Sequence, residues 1–416
     1  MKECGTVEWK ESVSNSFLKT VSAFANYGSG SVVFGIADDG SVKGLADTRA
    51  ACLNIENKIN DSIDPTPFFS LTENTRKKTV TLAVEEGPNK PYLYRGKAYR
   101  RSDTATVEVD NVELRRLVLA GQNMHFEELP CHEQDLTFHA LEEKLEAEHV
   151  VKALNGDVLR TFNLFNFEAG FNNAALIVSD QSTFPGIDVA RFGENINTIA
   201  DRATFEGTSI IEQIDGACTM FERYYSVETI EGARRATHYS IPYEAFREAV
   251  ANAVAHRTWD VNAKIRIAMH PDHIEISSPG GLPAGLGRDE YLRGFISQLR
   301  NPILANVLFR LNIIEMFGTG IVRIRSSYAE YEQKPEFDVS ENAVRVTLPV
   351  TDSRPALTSD EELVYRFVKE EGSAASGQIV ANFGFGKDKA VKLLRSLVEK
   401  RYVKKTGNGR GTRYRA

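Results

Sequence analysis

The stretch from Pro242 to Ile324 constrains this 416-residue chain more than any other. It opens with YEAFREAVANAVAHR (243–257), free of proline and glycine and rich in alanine, which predicts a helix. On that helix Phe246, Val250 and Val254 share one face and predict a core contact. Glu248, Asn252 and His256 repeat at the same spacing on roughly the opposite face, bordered by Ala245, Ala251 and Ala255. A polar stripe hemmed by methyl groups leaves room for a ligand to lie along it. Asparagine inside a helix costs roughly half a kcal/mol relative to alanine, so its presence calls for a compensating role.

Two glycine-bearing loops follow. IEISSPGGLP (274–283) reads as a short alternating strand running into Pro279-Gly280-Gly281, and IIEMFGTGIVRI (313–324) places Gly318-Thr319-Gly320 before a second helical run. Glycines ahead of a helix let backbone N–H groups approach a phosphate, with the helix N-terminus behind it. Either loop alone is ordinary turn chemistry. The combination makes sense when both loops and the polar stripe meet around one ligand.

Glu248-x-x-x-Asn252-Ala253 followed by such loops resembles the N-box and G-boxes of the GHKL ATPase superfamily, which includes gyrase and the histidine kinases. More narrowly, REAVANAVAHR, SSPGGLP, RNPILANVLFR and IIEMFGTGIVRI resemble the C-terminal half of bacterial RecG-related regulators. The resemblance implies ATP and Mg²⁺ as cofactors. It assigns the metal to Asn252, activation of water to Glu248, and the wrapping of phosphates and base to Gly280, Gly281, Gly318, Thr319 and Gly320. The aspartate with which the superfamily reads the adenine amino group has no counterpart, since Ser277 and Ser278 stand there.

The rest of the chain frames this segment. Its length suits two to four domains, and 42% apolar with 26% charged residues is ordinary for a globular protein. No eighteen-residue apolar run or signal peptide is visible, and the cysteines at 4, 52, 131 and 218 form no C-x-x-C pair. The expectation is a reducing cytoplasm, with no membrane partner, no disulfide framework and no zinc site. A net charge of −7 argues against a wholly basic nucleic-acid coat and leaves a local one open.

Residues 1–122 are expected to form an α+β unit. VEWKE alternates like a strand, with Glu8 and Lys10 on one side. Ser14 or Asn15 is placed to cap a helix carrying Phe17, Val21 and Phe24 on one stripe, and Asp38-Asp39-Gly40 reads as a hairpin turn. A helix over 48–61, strands near 68–73, 79–85 and 92–101, and a closing helix over 110–120 follow. Glu3, Glu8 and Lys10, AFAN (23–26), GIADDGSVKGL (35–45) and KPYLYRGKAYRRS (90–102) resemble the Schlafen/AlbA-like nucleic-acid-binding domain, with Ser29 where that family has the first of two glycines. The nuclease branch implies a catalytic metal trio at Glu3, Glu8 and Asp38. By themselves the residues suit an ion pair and a turn better. Arg95, Lys97, Arg100 and Arg101, interleaved with Tyr92, Tyr94 and Tyr99, are the candidate nucleic-acid contacts, cations for phosphates and rings for bases.

Residues 123–235 read as a connecting and intermediate α/β region, with FNNAALIVSD (171–180) as a buried strand, a helix near 209–224 and no catalytic constellation. Residues 236–352 are expected to form the GHKL-like α/β sandwich. After the TDSRPALTSD linker, residues 353–416 show three helical patterns and a hairpin, which looks like a winged helix-turn-helix. From 384 to 416 eleven Lys or Arg face two Asp or Glu. Lys387, Lys389, Lys392 and Arg395 lie on the candidate recognition helix, and Arg410, Arg413 and Arg415 on the wing. The whole reads as a multidomain α+β, duplex-DNA-binding regulator with a divergent nucleotide module. RNA and a second copy of the chain stay open as partners. The rival readings are a metal-dependent nuclease and a binding scaffold whose ATP site has decayed.

Overall fold

In the computed structural model the described residues are 3–193, 195–231, 234–283, 286–294, 298–315, 318–351, 357–400, 402–407 and 412–415. They bury three separate apolar clusters, within 17–99, 138–348 and 364–414.

The first cluster lies under a four-stranded sheet. Strand Val7–Lys10 pairs parallel with Gly30–Phe34, which continues antiparallel to Thr79–Val84 and then to the edge strand Phe69–Asn74. Helix Phe17–Tyr27 packs its predicted stripe of Phe17, Val21 and Phe24 against it, each at most 2% exposed. The residue before that helix is Ser16, without a side-chain cap, because the Ser14 and Ser16 hydroxyls bond each other instead. Helices Thr48–Ser62 and Asn111–Gly121 stand where the pattern predicts them, each entered through an aspartate cap, Asp47 and Asp110. The predicted strand 92–101 splits into Leu93–Tyr94 and Tyr99–Ser102, because Arg95 and Gly96, both at positive φ, turn the chain between them.

One six-stranded sheet spans both middle regions, in the order 199–205, 187–192, 265–269, 273–279, 343–349, 336–339. Helices Ile210–Tyr225 and Tyr243–Ala255 cover it, and a single apolar core runs through strands and helices from both sides of residue 235. The expected strand within 171–180 is a helix, Asn173–Val178. All six of its residues are buried, so apolar periodicity could not separate the two states, and the Asn172 side chain caps it by accepting from the Ala175 N–H at 2.9 Å.

Helix Pro302–Arg310 is capped from far away. Asn301 precedes it, but its amide donates at 2.8 Å to the carbonyls of Ala255 and Arg257, tying down the end of helix Tyr243–Ala255. The buried Glu127 carboxylate takes the vacant role, accepting from the N–H groups of Ile303 at 2.5 Å and Leu304 at 2.9 Å.

The last cluster holds helices Ser359–Glu370, Ser376–Phe383 and Lys387–Glu399, followed by the hairpin Lys404–Thr406 and Arg413–Arg415. Tyr414 also bridges to Ala374, which fastens the hairpin to the entry of the second helix. Among the described residues no helix is long and apolar enough to cross a membrane.

Candidate nucleotide site

Helix Tyr243–Ala255 separates its two faces as its spacing requires. Phe246, Val250 and Val254 are fully buried, each worth about 1.5–3 kcal/mol relative to exposure. The opposite side carries Glu248 (4% exposed) and the half-buried Asn252 and His256. The Asn252 amide donates to Glu248 Oε1 at 3.2 Å, which leaves the Asn252 carbonyl oxygen without a donor among the described residues. Burial pushes the Glu248 carboxyl above its usual range, offset in part by the Asn252 bond and by Arg323 and Arg247 nearby.

Both glycine loops reach this helix. Asn252, Gly280, Gly281, Gly318 and Gly320 line one cavity together with Ala249, Ala253 and His256. Gly320 begins helix Gly320–Ser327, and a Cβ there would lie 2.4 Å from Asn252 Nδ2 and 2.7 Å from Glu248 Oε1. Only glycine allows that approach, which brings the start of a helix against the polar pair. Gly280 has φ +103°, and a Cβ there would strike the Thr258 hydroxyl. Thr319 precedes the helix without a side-chain cap. Ser278 lines the cavity too, but its hydroxyl donates to the Ala253 carbonyl at 2.6 Å and so braces strand against helix.

The turn after the central helix was not singled out by sequence pattern, and it links the cavity to the N-terminal unit. Arg257 is fully buried, bonded to the carbonyls of Pro185 and Ala263 and stacked over Trp259 at 4.3 Å. It fixes the turn that carries Thr258, whose N–H donates to Pro279 O at 2.9 Å, and Asp260. Asp260 receives a two-pronged bond from Arg116 of helix Asn111–Gly121, at 2.8 and 3.0 Å. Arg300 lies within the field of both and donates to Gly281 O at 2.7 Å. Hydrogen bonds thus join Arg116 to Asp260 and Arg300 to Gly281, and the two pairs sense each other through their charges.

In the N-terminal unit several expected ligands are already engaged. Glu8 pairs with Lys10 at 2.6 Å and Arg101 at 2.7 Å and accepts from Thr20 at 2.5 Å. The Glu3 carboxylate accepts from the Trp9 N–H at 3.3 Å, and Asp38 is exposed in its turn. Among the described residues no group of three His, Cys, Asp or Glu is placed to hold a metal, so Glu3, Glu8 and Asp38 do not form the expected trio. Two cations already neutralise Glu8 where an ion would sit.

Among the candidate nucleic-acid contacts of this unit, one cation and the interleaved rings are largely buried. The Arg101 side chain is 9% exposed against Glu8, and Tyr92, Tyr94 and Tyr99 are at most 6% exposed, so these rings pack the core and present no stacking face. Arg95, Lys97 and Arg100 remain at the surface, Lys97 paired with Glu108 at 2.8 Å and Arg100 with Glu113 at 3.3 Å. Asn26 of the AFAN motif is a strut, exchanging bonds of 2.8 and 2.9 Å with the Tyr92 backbone.

In the C-terminal unit Lys387, Lys389, Lys392 and Arg395 are exposed on helix Lys387–Glu399. Lys389 pairs with Asp360 at 2.7 Å and Arg395 with Glu399 at 3.0 Å. Arg413 and Arg415 are exposed on the hairpin, where Arg415 sits directly across from Lys404. Arg410 lies outside the described residues.

Comparison with known proteins adds two matches. Residues 3–110 match the family model described as Schlafen, AlbA_2, and residues 262–348 match the one described as "Putative ATP-dependent DNA helicase recG C-terminal", an ATPase-like domain. The chain joins a Schlafen/AlbA-like region to a RecG-related, ATPase-like one. The second match begins after the helix that carries Glu248 and Asn252. A crystal structure of the DIP2311 protein from Corynebacterium diphtheriae aligns over 99% of this chain and 92% of its own, at 18% identity and a TM-score of 0.49. The N-terminal domain of a RecG-related protein from Nitrosomonas europaea aligns over 24% of this chain and 78% of its own, at 23% identity and a TM-score of 0.18. No curated protein matches.

Proposed function

We propose that this is a nucleic-acid-associated regulator of the cytoplasm whose ATPase-like domain binds Mg-nucleotide and whose C-terminal unit is a winged helix that grips duplex DNA. The convergence of Asn252, Gly280, Gly281, Gly318 and Gly320 on one cavity carries the nucleotide reading. The residues fit such a ligand. Gly280, Gly281, Gly318 and Gly320 open part of the cavity wall, and the Asn252 carbonyl oxygen, unpaired among the described residues, is a hard ligand atom suited to Mg²⁺. Asn252 would hold the ion, which supplies charge neutralisation at the phosphates. Glu248, buried and bonded to Asn252, would orient water and take its proton.

The DNA reading rests on the C-terminal unit. Three helices and a hairpin follow the winged-helix order, and the exposed cations of the third helix and the hairpin contrast with a net charge of −7 for the chain. Lys404 opposite Arg415 is a like-charge pair that is unfavourable by itself and is relieved by an anionic partner. Gly281, Arg300, Asp260 and Arg116 lie between the cavity and the N-terminal unit and would carry any effect of nucleotide occupancy between them.

Two measurements on the full chain test this. Calorimetry with ATP and Mg²⁺ should show binding that Asn252→Ala weakens and Glu248→Ala leaves in place. Fluorescence anisotropy with duplex DNA should lose most of its affinity when residues 356–416 are removed. Unchanged DNA binding by the truncated chain would move that function to the N-terminal unit.

A further inference from the structure

Of the three side chains on the polar stripe, His256 is the one that neither the glycine loops nor its neighbours employ. It lines the cavity one helical turn beyond Asn252, and none of the hydrogen bonds or ion pairs among the described residues uses its ring. A half-buried imidazole without a partner, facing a cavity, gives up water contacts for nothing unless a ligand replaces them.

Its charge state narrows the ligand. Burial, reinforced by the nearby Arg300 guanidinium, pushes the His256 pKa down to about 4. The ring is therefore neutral near pH 7, with one nitrogen donating and the other accepting. A neutral ring is poorly suited to neutralising phosphate. It suits a group that offers a donor and an acceptor side by side.

Its position narrows the ligand further. Asn252 meets Gly320 at the cavity wall, while His256 lines the same cavity one turn further along the helix, in the field of the Arg300 side chain that holds the Gly281 carbonyl. Four residues of helix separate Asn252 from His256, about 6 Å along the axis. The apolar lining includes Ile276, Leu282, Tyr291 and Val346, a setting for a flat heterocycle. The Ser278 hydroxyl is spent as a donor on the Ala253 carbonyl.

We infer that His256 reads the base edge of the nucleotide in this cavity, a step that rests on the nucleotide-binding proposal and names how that site selects its ligand. A ligand with phosphates at the Asn252 end lies along the helix and presents its heterocycle to the imidazole. His256 acts there as a specificity-determining residue and has no part in the proposed water activation.

The test compares Mg-ATP with Mg-tripolyphosphate, which keeps the phosphates and lacks the base, on the full chain by calorimetry. Wild-type protein should bind Mg-ATP at least tenfold more tightly. His256→Ala should weaken Mg-ATP about 5- to 20-fold, the loss of one or two hydrogen bonds, and change Mg-tripolyphosphate less than twofold. His256→Gln, which keeps a donor and an acceptor, should recover part of the loss, and it decides the matter if the alanine variant fails to fold. An unchanged ATP-to-tripolyphosphate ratio in the variants, or equal wild-type affinity for both, overturns the role of His256 and leaves nucleotide binding standing. Absence of binding to either ligand at millimolar concentration overturns both.

Discussion

At the scale of single residues the account turns on how closely Gly320 approaches Glu248 and Asn252. Gly320→Ala forces a methyl group into that contact, and overpacking of this kind costs about 1–3 kcal/mol. The expected result is a melting temperature lowered by several degrees together with a Mg-ATP affinity reduced about tenfold or more. A variant that melts lower and binds normally would detach the contact from the ligand. Glu248 adds a pH signature. Its pKa is raised by burial, and a proton acceptor works only when ionised, so ATP hydrolysis should fall with decreasing pH from a higher point than an ordinary glutamate would give. Pre-steady-state hydrolysis measured across pH 5 to 8 checks this, and a flat profile counts against Glu248. The sequence displayed this pair through its i, i+4 spacing on a face opposite Phe246, Val250 and Val254. It could not display the engagement of Glu8 by Arg101, because that ion pair joins residues 93 positions apart.

At the scale of elements the long-range cap on helix Pro302–Arg310 makes a prediction with a sign. Burial raises the Glu127 pKa to about 7, above the unfolded value near 4.5, against the pull of the two N–H groups it accepts from. The folded state therefore holds the proton more tightly. The resulting stability is fully present below about pH 4.5 and is lost as pH rises through about 7. Thermal unfolding of wild type against Glu127→Gln between pH 5 and 8 should show the wild type losing more of its melting temperature with rising pH. Parallel curves would remove Glu127 as the cause. On the hairpin, Arg413→Ala with Arg415→Ala should reduce the log–log salt slope of DNA binding by about 2 if each side chain meets one phosphate. An unchanged slope would place the phosphates elsewhere. Most helices were legible because amphipathic periodicity and aspartate caps are local signals, as at Asp47 and Asp110. Helix Asn173–Val178 looks like a strand in the sequence because a wholly buried element has no polar face to set its period. Neither the Glu127 cap nor the different use of Asn301 leaves any trace in local sequence, since both depend on contacts made across the fold.

At the scale of the whole molecule, one core runs through strands contributed by residues on both sides of 235, so strands 187–192 and 199–205 complete the sheet beneath the site. The Arg116–Asp260 contact couples that body to the Schlafen/AlbA-like region. An exposed ion pair is worth about 0–1 kcal/mol, so Arg116→Ala should leave folding and Mg-ATP affinity nearly intact while diminishing any change that nucleotide makes in nucleic-acid affinity. Titrating labelled DNA and RNA with and without Mg-ATP reads this directly, and an undiminished response would place the coupling elsewhere. The central claim is that the polar stripe and the two glycine loops form one nucleotide site. Calorimetry of the full chain with ATP and Mg²⁺, run beside Asn252→Ala, addresses it most directly. The account predicts saturable binding with one nucleotide per chain that Asn252→Ala weakens at least tenfold; no heat of binding at millimolar ATP, or equal binding by the variant, would contradict it.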